Sequence, residues 1–171
     1  MALQLFKIQA IEVASPVTSV TFSNIPQGYT DLILEINSRM SNASVLGYNT
    51  IRFNADSGNN YTWTYLDANI GGGPFSSSSS AYSSIFINTP AATASANTFG
   101  NAGIYIPNYT GSNYKSASID GTSENFAAQA FVTIVGGLWK NTAAITSITI
   151  NDAINSASIL SNSTFTLYGV L

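Results

Sequence analysis

The chain has 171 residues, a length that fits a single domain, and it contains neither Cys nor His. Disulfides, thiol nucleophiles, Ser-His-Asp catalysis and the usual zinc sites are therefore excluded. Charged residues make up 8% of the chain, against about 25% in ordinary globular proteins. The net charge is −3 and the five Lys and Arg residues are scattered, which disfavours nucleic-acid binding.

The N-terminal segment MALQLFKIQAIEV lacks the basic start and continuous apolar centre of a secretory signal. No apolar run approaches the roughly 18 residues that a membrane-spanning helix needs. We therefore expect a soluble protein that is not inserted in a membrane and that assembles in the cytoplasm.

Hydrophobic residues recur with period two along almost the whole chain, in short runs separated by Gly, Pro, Asn and Ser. In chain order the runs are LFKIQAIEV, VTSVTF, TDLILEINS, NTIRFN, YTWTYLD, SSIFIN, AGIYIP, YKSASID, AFVTIVGGLW, ITSITIN and STFTLYGVL. This pattern predicts an all-β fold, a single β-sandwich or jelly-roll-like domain of about 8–11 antiparallel strands. TSENFAAQA alone has helix-like content, and it predicts at most a short turn of helix.

The first run changes face within its length, because Phe6 and Ile8 lie on one side while Ile11 and Val13 lie on the other. Such a change predicts a β-bulge. We expect residues 1–16 to form a first strand or an arm, and residues 17–171 to form the sandwich domain.

The stretch GGGPFSSSSS, residues 71–80, has the composition of a linker. Neither side of it carries enough large apolar residues to close a two-layer core alone. The halves are therefore expected to share one core, with residues 70–83 as a Gly/Ser-rich surface loop. Because no Lys-Ser or Lys-Thr follows the glycines, this stretch is not a phosphate-binding loop.

The run YTWTYLD places Tyr61, Trp63 and Tyr65 on one face of a strand. Two interpretations stay open. The three rings line the core or its rim, or they form an exposed stripe that stacks on sugar rings or on a partner protein. Trp139 is expected to anchor the core at the end of its strand.

The acidic residues are isolated in polar turns and at outward strand positions, which predicts solvated surface rather than a catalytic pair. The residues considered are Asp31, Glu35, Asp56, Asp67, Asp120, Glu124 and Asp152. NADSG, residues 54–58, is interpreted as a β-turn and not as a calcium loop. The sequence therefore predicts no enzyme activity, no metal site and no cofactor.

Five segments resemble a group of small tailed-bacteriophage virion proteins familiar from cyanophage-like genomes, and they extend over most of residues 17–171. The segments are SVTFSNIPQGYTDLILEI, IRFNADSGNNYTWTYL, NTFGNAGIYIPNYTGSNYKSASID, GLWKNTAAITSITI and STFTLYGVL. IPNYTGSNYKS and TFTLYGV are the most distinctive pieces. The resemblance implies a structural component of the phage particle, and it brings no catalytic motif.

Two roles follow from the resemblance. The first is a capsid decoration, or cement, protein on the outer capsid surface, a homotrimer that binds the major capsid protein through an N-terminal segment around Leu3, Leu5 and Phe6. The second is a tail-fibre or spike tip that binds host-surface glycan through Tyr61, Trp63 and Tyr65. Because the predicted sandwich leaves no room for a fibre shaft, we expect the decoration role unless the chain attaches to a separate fibre protein.

Overall fold

The computed structural model describes residues 4–69, 72–125 and 130–171, which form twelve β-strands and no helix. Among these residues there is consequently no helix long and apolar enough to cross a membrane. The strands are β1 (Leu5–Glu12), β2 (Ser19–Phe22), β3 (Asp31–Ser38), β4 (Leu46–Phe53), β5 (Tyr61–Asn69), β6 (Phe75–Tyr82), β7 (Ile85–Pro90), β8 (Gly100–Ile106), β9 (Lys115–Thr122), β10 (Phe131–Trp139), β11 (Ile148–Asn151) and β12 (Thr164–Val170).

The strands form two antiparallel sheets of unequal width that pack as a β-sandwich. The wide sheet has the order β1-β12-β3-β8-β9-β10-β5-β6, and the narrow sheet has the order β2-β11-β4-β7. The all-β prediction is confirmed. The strand number is higher than the predicted 8–11 because every predicted run contains a strand and β6 adds one more.

The prediction of a surface loop at residues 70–83 is wrong for Phe75–Tyr82, which form strand β6. This strand pairs with β5 along the edge of the wide sheet, with Phe75 opposite Asp67. A run of serines shows no hydrophobic alternation, so its sequence gives no sign of a strand. Its pairing comes from the backbone hydrogen bonds that β5 offers. The serine side chains are mostly exposed, and residues 70 and 71 lie outside the described part of the chain.

The core lies between the two sheets and is filled by the side chains at every second position of each strand. Leu32, Leu34 and Ile36 of β3 are buried, as are Ile148 and Ile150 of β11. Each sheet contains strands from both sides of residues 71–80, and one hydrophobic cluster joins all of them. Neither half of the chain could therefore bury its apolar faces without the other.

Strand β1 forms the edge of the wide sheet opposite β6. Its pairing with β12 shifts register between Lys7 and Gln9, which confirms the predicted bulge. Leu5 and Phe6 are exposed on this edge, and the Phe6 ring stacks on Tyr29 with 5.9 Å between centroids. Leu3 lies outside the described residues, as do residues 126–129 of the segment with helix-like composition.

Candidate functional site

An aromatic groove opens between the edges of the two sheets, where β6 ends the wide sheet and β7 ends the narrow one. Its volume is about 360 Å³. It is lined by Leu46, Tyr48, Trp63, Tyr65, Asp67, Phe75, Tyr82, Phe86, Asn88, Phe131 and Ile154. A concave, mostly apolar site with a few polar groups is the usual form of a ligand-binding site.

Strand β5 supplies one wall of the groove through its period-two alternation. Tyr61, Trp63, Tyr65 and Asp67 all point inward, toward the narrow sheet. Tyr61 is fully buried, whereas Trp63 and Tyr65 are half-buried and line the groove. The predicted aromatic stripe is therefore divided between the core and the candidate site.

Tyr61 belongs to the core. Its hydroxyl accepts a hydrogen bond from the Phe53 amide at 2.9 Å and donates to the Asp56 carbonyl at 3.2 Å. Its ring stacks on Trp139, with 6.4 Å between centroids. Burial raises the pKa of the Tyr61 phenol far above its ordinary value. With its polar tip and ring both occupied internally, Tyr61 is not available to a ligand.

The groove aromatics form a connected cluster around Phe86. The Phe86 ring meets Trp63 at 4.9 Å, Tyr65 at 5.5 Å and Tyr48 at 5.7 Å between centroids, all in edge-to-face geometry. Tyr82 packs against Trp63 at 5.6 Å in the same manner. Edge-to-face contacts fix the orientation of each ring, so the walls of the groove are preorganised.

A carboxylate and an amide provide the polar groups of the groove. Asp67 is only 3% exposed, and its Oδ2 accepts a hydrogen bond from Asn88 Nδ2 at 3.0 Å. The same Nδ2 group donates to Thr133 Oγ1 at 2.9 Å. Among the residues that line the groove, two buried side-chain atoms have no hydrogen-bond partner in the described part of the chain, namely Asp67 Oδ1 and Trp63 Nε1. Leaving each of these atoms without a partner lowers the stability of the fold by about 1–3 kcal/mol or more, and a hydrogen bond to a bound ligand could offset this loss.

The electrostatic character of the groove is negative. Its lining in the described chain contains one carboxylate and neither Lys nor Arg. Burial raises the pKa of the Tyr48 phenol, and Tyr65, Asp152 and Asp67 raise it further. Tyr48 therefore stays protonated at neutral pH and can donate a hydrogen bond.

The sequence interpretation missed several groove residues. Asp67 in the groove and Asp152 outside its lining were expected on the solvated surface, but both are buried. The Asp152 carboxylate accepts hydrogen bonds from the backbone amides of Ile154 and Asn155. The place of Asp67 in the groove could have been predicted from the sequence, because it continues the spacing of two residues that puts the aromatic stripe on one face of β5. Phe86 and Asn88 carry no such signal, since only the packing of β7 beneath β5 brings them to the groove.

The other predicted contact residues lie elsewhere. Leu5 and Phe6 are on β1, at the opposite edge of the wide sheet from the groove. The described residues contain no group of three or more His, Cys, Asp or Glu that could hold a metal ion. Searches of protein-family models, curated proteins and solved structures find no match to this chain.

Proposed function

We propose that this chain is a non-enzymatic surface protein of a tailed-phage particle that binds glycan through the aromatic groove. The observation that carries this proposal is the combination of half-buried aromatic walls with a buried carboxylate and amide in one cavity. The sequence resemblance supports the phage particle as its setting. The glycan would be a component of the host surface, which corresponds to a tail location.

The groove has the two kinds of group that a sugar requires. A sugar ring has apolar C–H faces that pack on aromatic rings, and hydroxyls around its edge that donate and accept hydrogen bonds. Trp63 and Tyr65 offer ring surface, while Asp67 and Tyr48 offer an acceptor and a donor. Because the rings are held by their neighbours, little side-chain entropy is lost on binding.

Replacing Tyr65 with alanine is expected to weaken glycan binding by about 10-fold or more, because the ring supplies contact area on β5. Titration calorimetry with a glycan selected on an array measures the affinity. Tyr114→Ala is the matched control, since Tyr114 is exposed and does not line the groove. Equal loss of affinity in both variants, or none in Tyr65→Ala, contradicts a groove site.

Capsid decoration is a second candidate function, and a different surface favours it. Leu66, Val132 and Ile134 are 50%, 59% and 57% exposed on the outer face of neighbouring strands β5 and β10. Contiguous exposed apolar residues mark protein–protein contact sites. In this role a homotrimer would attach to the major capsid protein through this outer patch, with Leu5 and Phe6 on the edge strand as further contacts.

Replacing Ile134 with lysine is expected to abolish attachment if the outer patch contacts the capsid, because a charge would be buried without a partner. Particles lacking the protein are mixed with each variant, and bound copies are counted by gel densitometry. Tyr114→Lys is the matched control, since Tyr114 is 57% exposed and belongs neither to the outer patch nor to the β1 edge. Electron microscopy of the particle separates the two roles. Hundreds of copies on the capsid lattice support decoration, and a few copies at the tail contradict it.

A further inference from the structure

The groove contains one acceptor atom and one donor atom that have no hydrogen-bond partner among the described residues. Asp67 Oδ1 can only accept when the carboxylate is ionised, and Trp63 Nε1 can only donate. Both atoms are buried on the inward face of β5, and both residues line the groove. A ligand that satisfies them must bring both a donor and an acceptor.

We infer that the groove selects a neutral oligosaccharide and that Asp67 is its specificity-determining residue, accepting a hydrogen bond from a sugar hydroxyl. The inference rests on the proposed glycan-binding function. A hydroxyl is both donor and acceptor, so different hydroxyls of one ligand can satisfy Asp67 and Trp63. Neither an apolar ligand nor an acceptor-only ligand can do this.

Charge excludes the acidic sugars. The described lining contains Asp67 and no basic residue, and Asp152 lies close enough to affect the Tyr48 phenol. Arg52, which donates to the Ser83 carbonyl, and Lys140, which donates to the Ser80 carbonyl, both lie outside the lining of the groove. A sialic or uronic acid would place a second carboxylate beside Asp67, and like charges in a partly desolvated groove repel.

Burial of Asp67 also argues for binding rather than for structure. Its one hydrogen bond from Asn88 could be made equally well by an amide oxygen at this position. An unpaired buried carboxylate oxygen destabilises the fold, whereas an isosteric amide avoids burying a charge. Natural proteins keep such unfavourable groups where function needs them.

The test is a glycan array of matched pairs, lactosyl against sialyllactosyl and glucosyl against glucuronosyl oligosaccharides, probed with the wild-type protein and with Asp67→Asn. We expect binding to neutral members only, and a 10- to 100-fold loss of that affinity in Asp67→Asn. Asp120→Asn, at an exposed position on β9, is the control and should bind like the wild type. Thermal unfolding should show Asp67→Asn at least as stable as the wild type, so that lost binding cannot be attributed to lost folding.

The outcomes separate this inference from the proposed function. Preference for the acidic members, or undiminished binding by Asp67→Asn, overturns the role of Asp67 while leaving a glycan-binding groove. Binding to no member of any pair overturns both. Trp63 provides a second readout, because its fluorescence should change with neutral oligosaccharide in a Trp139→Phe background, where it is the remaining tryptophan.

Discussion

Replacing Trp139 with alanine is expected to lower the free energy of unfolding by about 3–5 kcal/mol, the range for removing a large buried aromatic side chain. Trp139 is fully buried at the end of β10, as the sequence predicted. Its ring lies 5.7 Å from Phe53 and 6.4 Å from Tyr61 between centroids. Alanine would leave a cavity at the centre of this group, and the surrounding strands cannot collapse to fill it.

The indole nitrogen adds a polar contribution. Trp139 Nε1 donates to Asp56 Oδ2 at 2.8 Å and so holds the turn at residues 54–58 against the core. Burial acts to raise the pKa of Asp56, but hydrogen bonds from Trp139, Asn60 and Gly58 outweigh it and hold the pKa below its ordinary value. Trp139→Phe keeps most of the packing and loses this bond, so a smaller destabilisation of about 1–3 kcal/mol is expected.

Urea unfolding monitored by circular dichroism measures both Trp139 variants. Trp63→Ala is the control, because Trp63 is half-buried in the groove and should cost less stability. In Trp139→Phe the pKa of Asp56, followed by NMR, should move upward. If Trp139→Ala and Trp63→Ala proved equally destabilising, Trp139 would not be the central packing residue of the core.

Replacing Arg39 with methionine is expected to destabilise the protein by about 3–5 kcal/mol, because the guanidinium organises a loop through charge-assisted hydrogen bonds. Its Nη1 donates to the Ser95 carbonyl at 2.6 Å and to the carbonyl and hydroxyl of Thr98. Its Nη2 donates to the carbonyls of Ala92 and Ala94. Methionine fills similar space but leaves these carbonyls without that donor.

Arg52→Met is the matched control for Arg39→Met. Arg52 is half-buried, and in the described part of the chain its side chain hydrogen-bonds to the carbonyl and, at 3.4 Å, the hydroxyl of Ser83, so a loss below about 1 kcal/mol is expected. Urea midpoints compare the two variants, and hydrogen exchange of the 91–99 loop reports local order. Similar midpoints for both variants, with unchanged exchange, would contradict the organising role of Arg39. Because the loop directly follows β7, which carries Phe86 and Asn88, its loss should also disturb the groove.

The resemblance to virion proteins and the groove support different parts of the proposed function. The resemblance supports the setting, a phage particle, and the groove supports the activity, glycan binding. The outer patch at Leu66, Val132 and Ile134 supports attachment to another protein. A single particle component can use both surfaces, since the patch lies on the outer face of β5 and the groove lies on its inner face.

The sequence by itself determined the fold class, because burial of one face makes hydrophobic residues alternate along each strand. Alternation also placed Tyr61, Trp63 and Tyr65 on one face of their strand, a face that includes Asp67, but it left open whether that face points inward. It could not show that β6 is a strand, since serines pair there through their backbone alone. Only the tertiary structure decided that Tyr61 belongs to the core while Trp63 and Tyr65 line a groove. The physical reason is the unequal width of the sheets, because how much of the inner face of β5 is covered depends on how far the opposite sheet extends, here through β4 and β7.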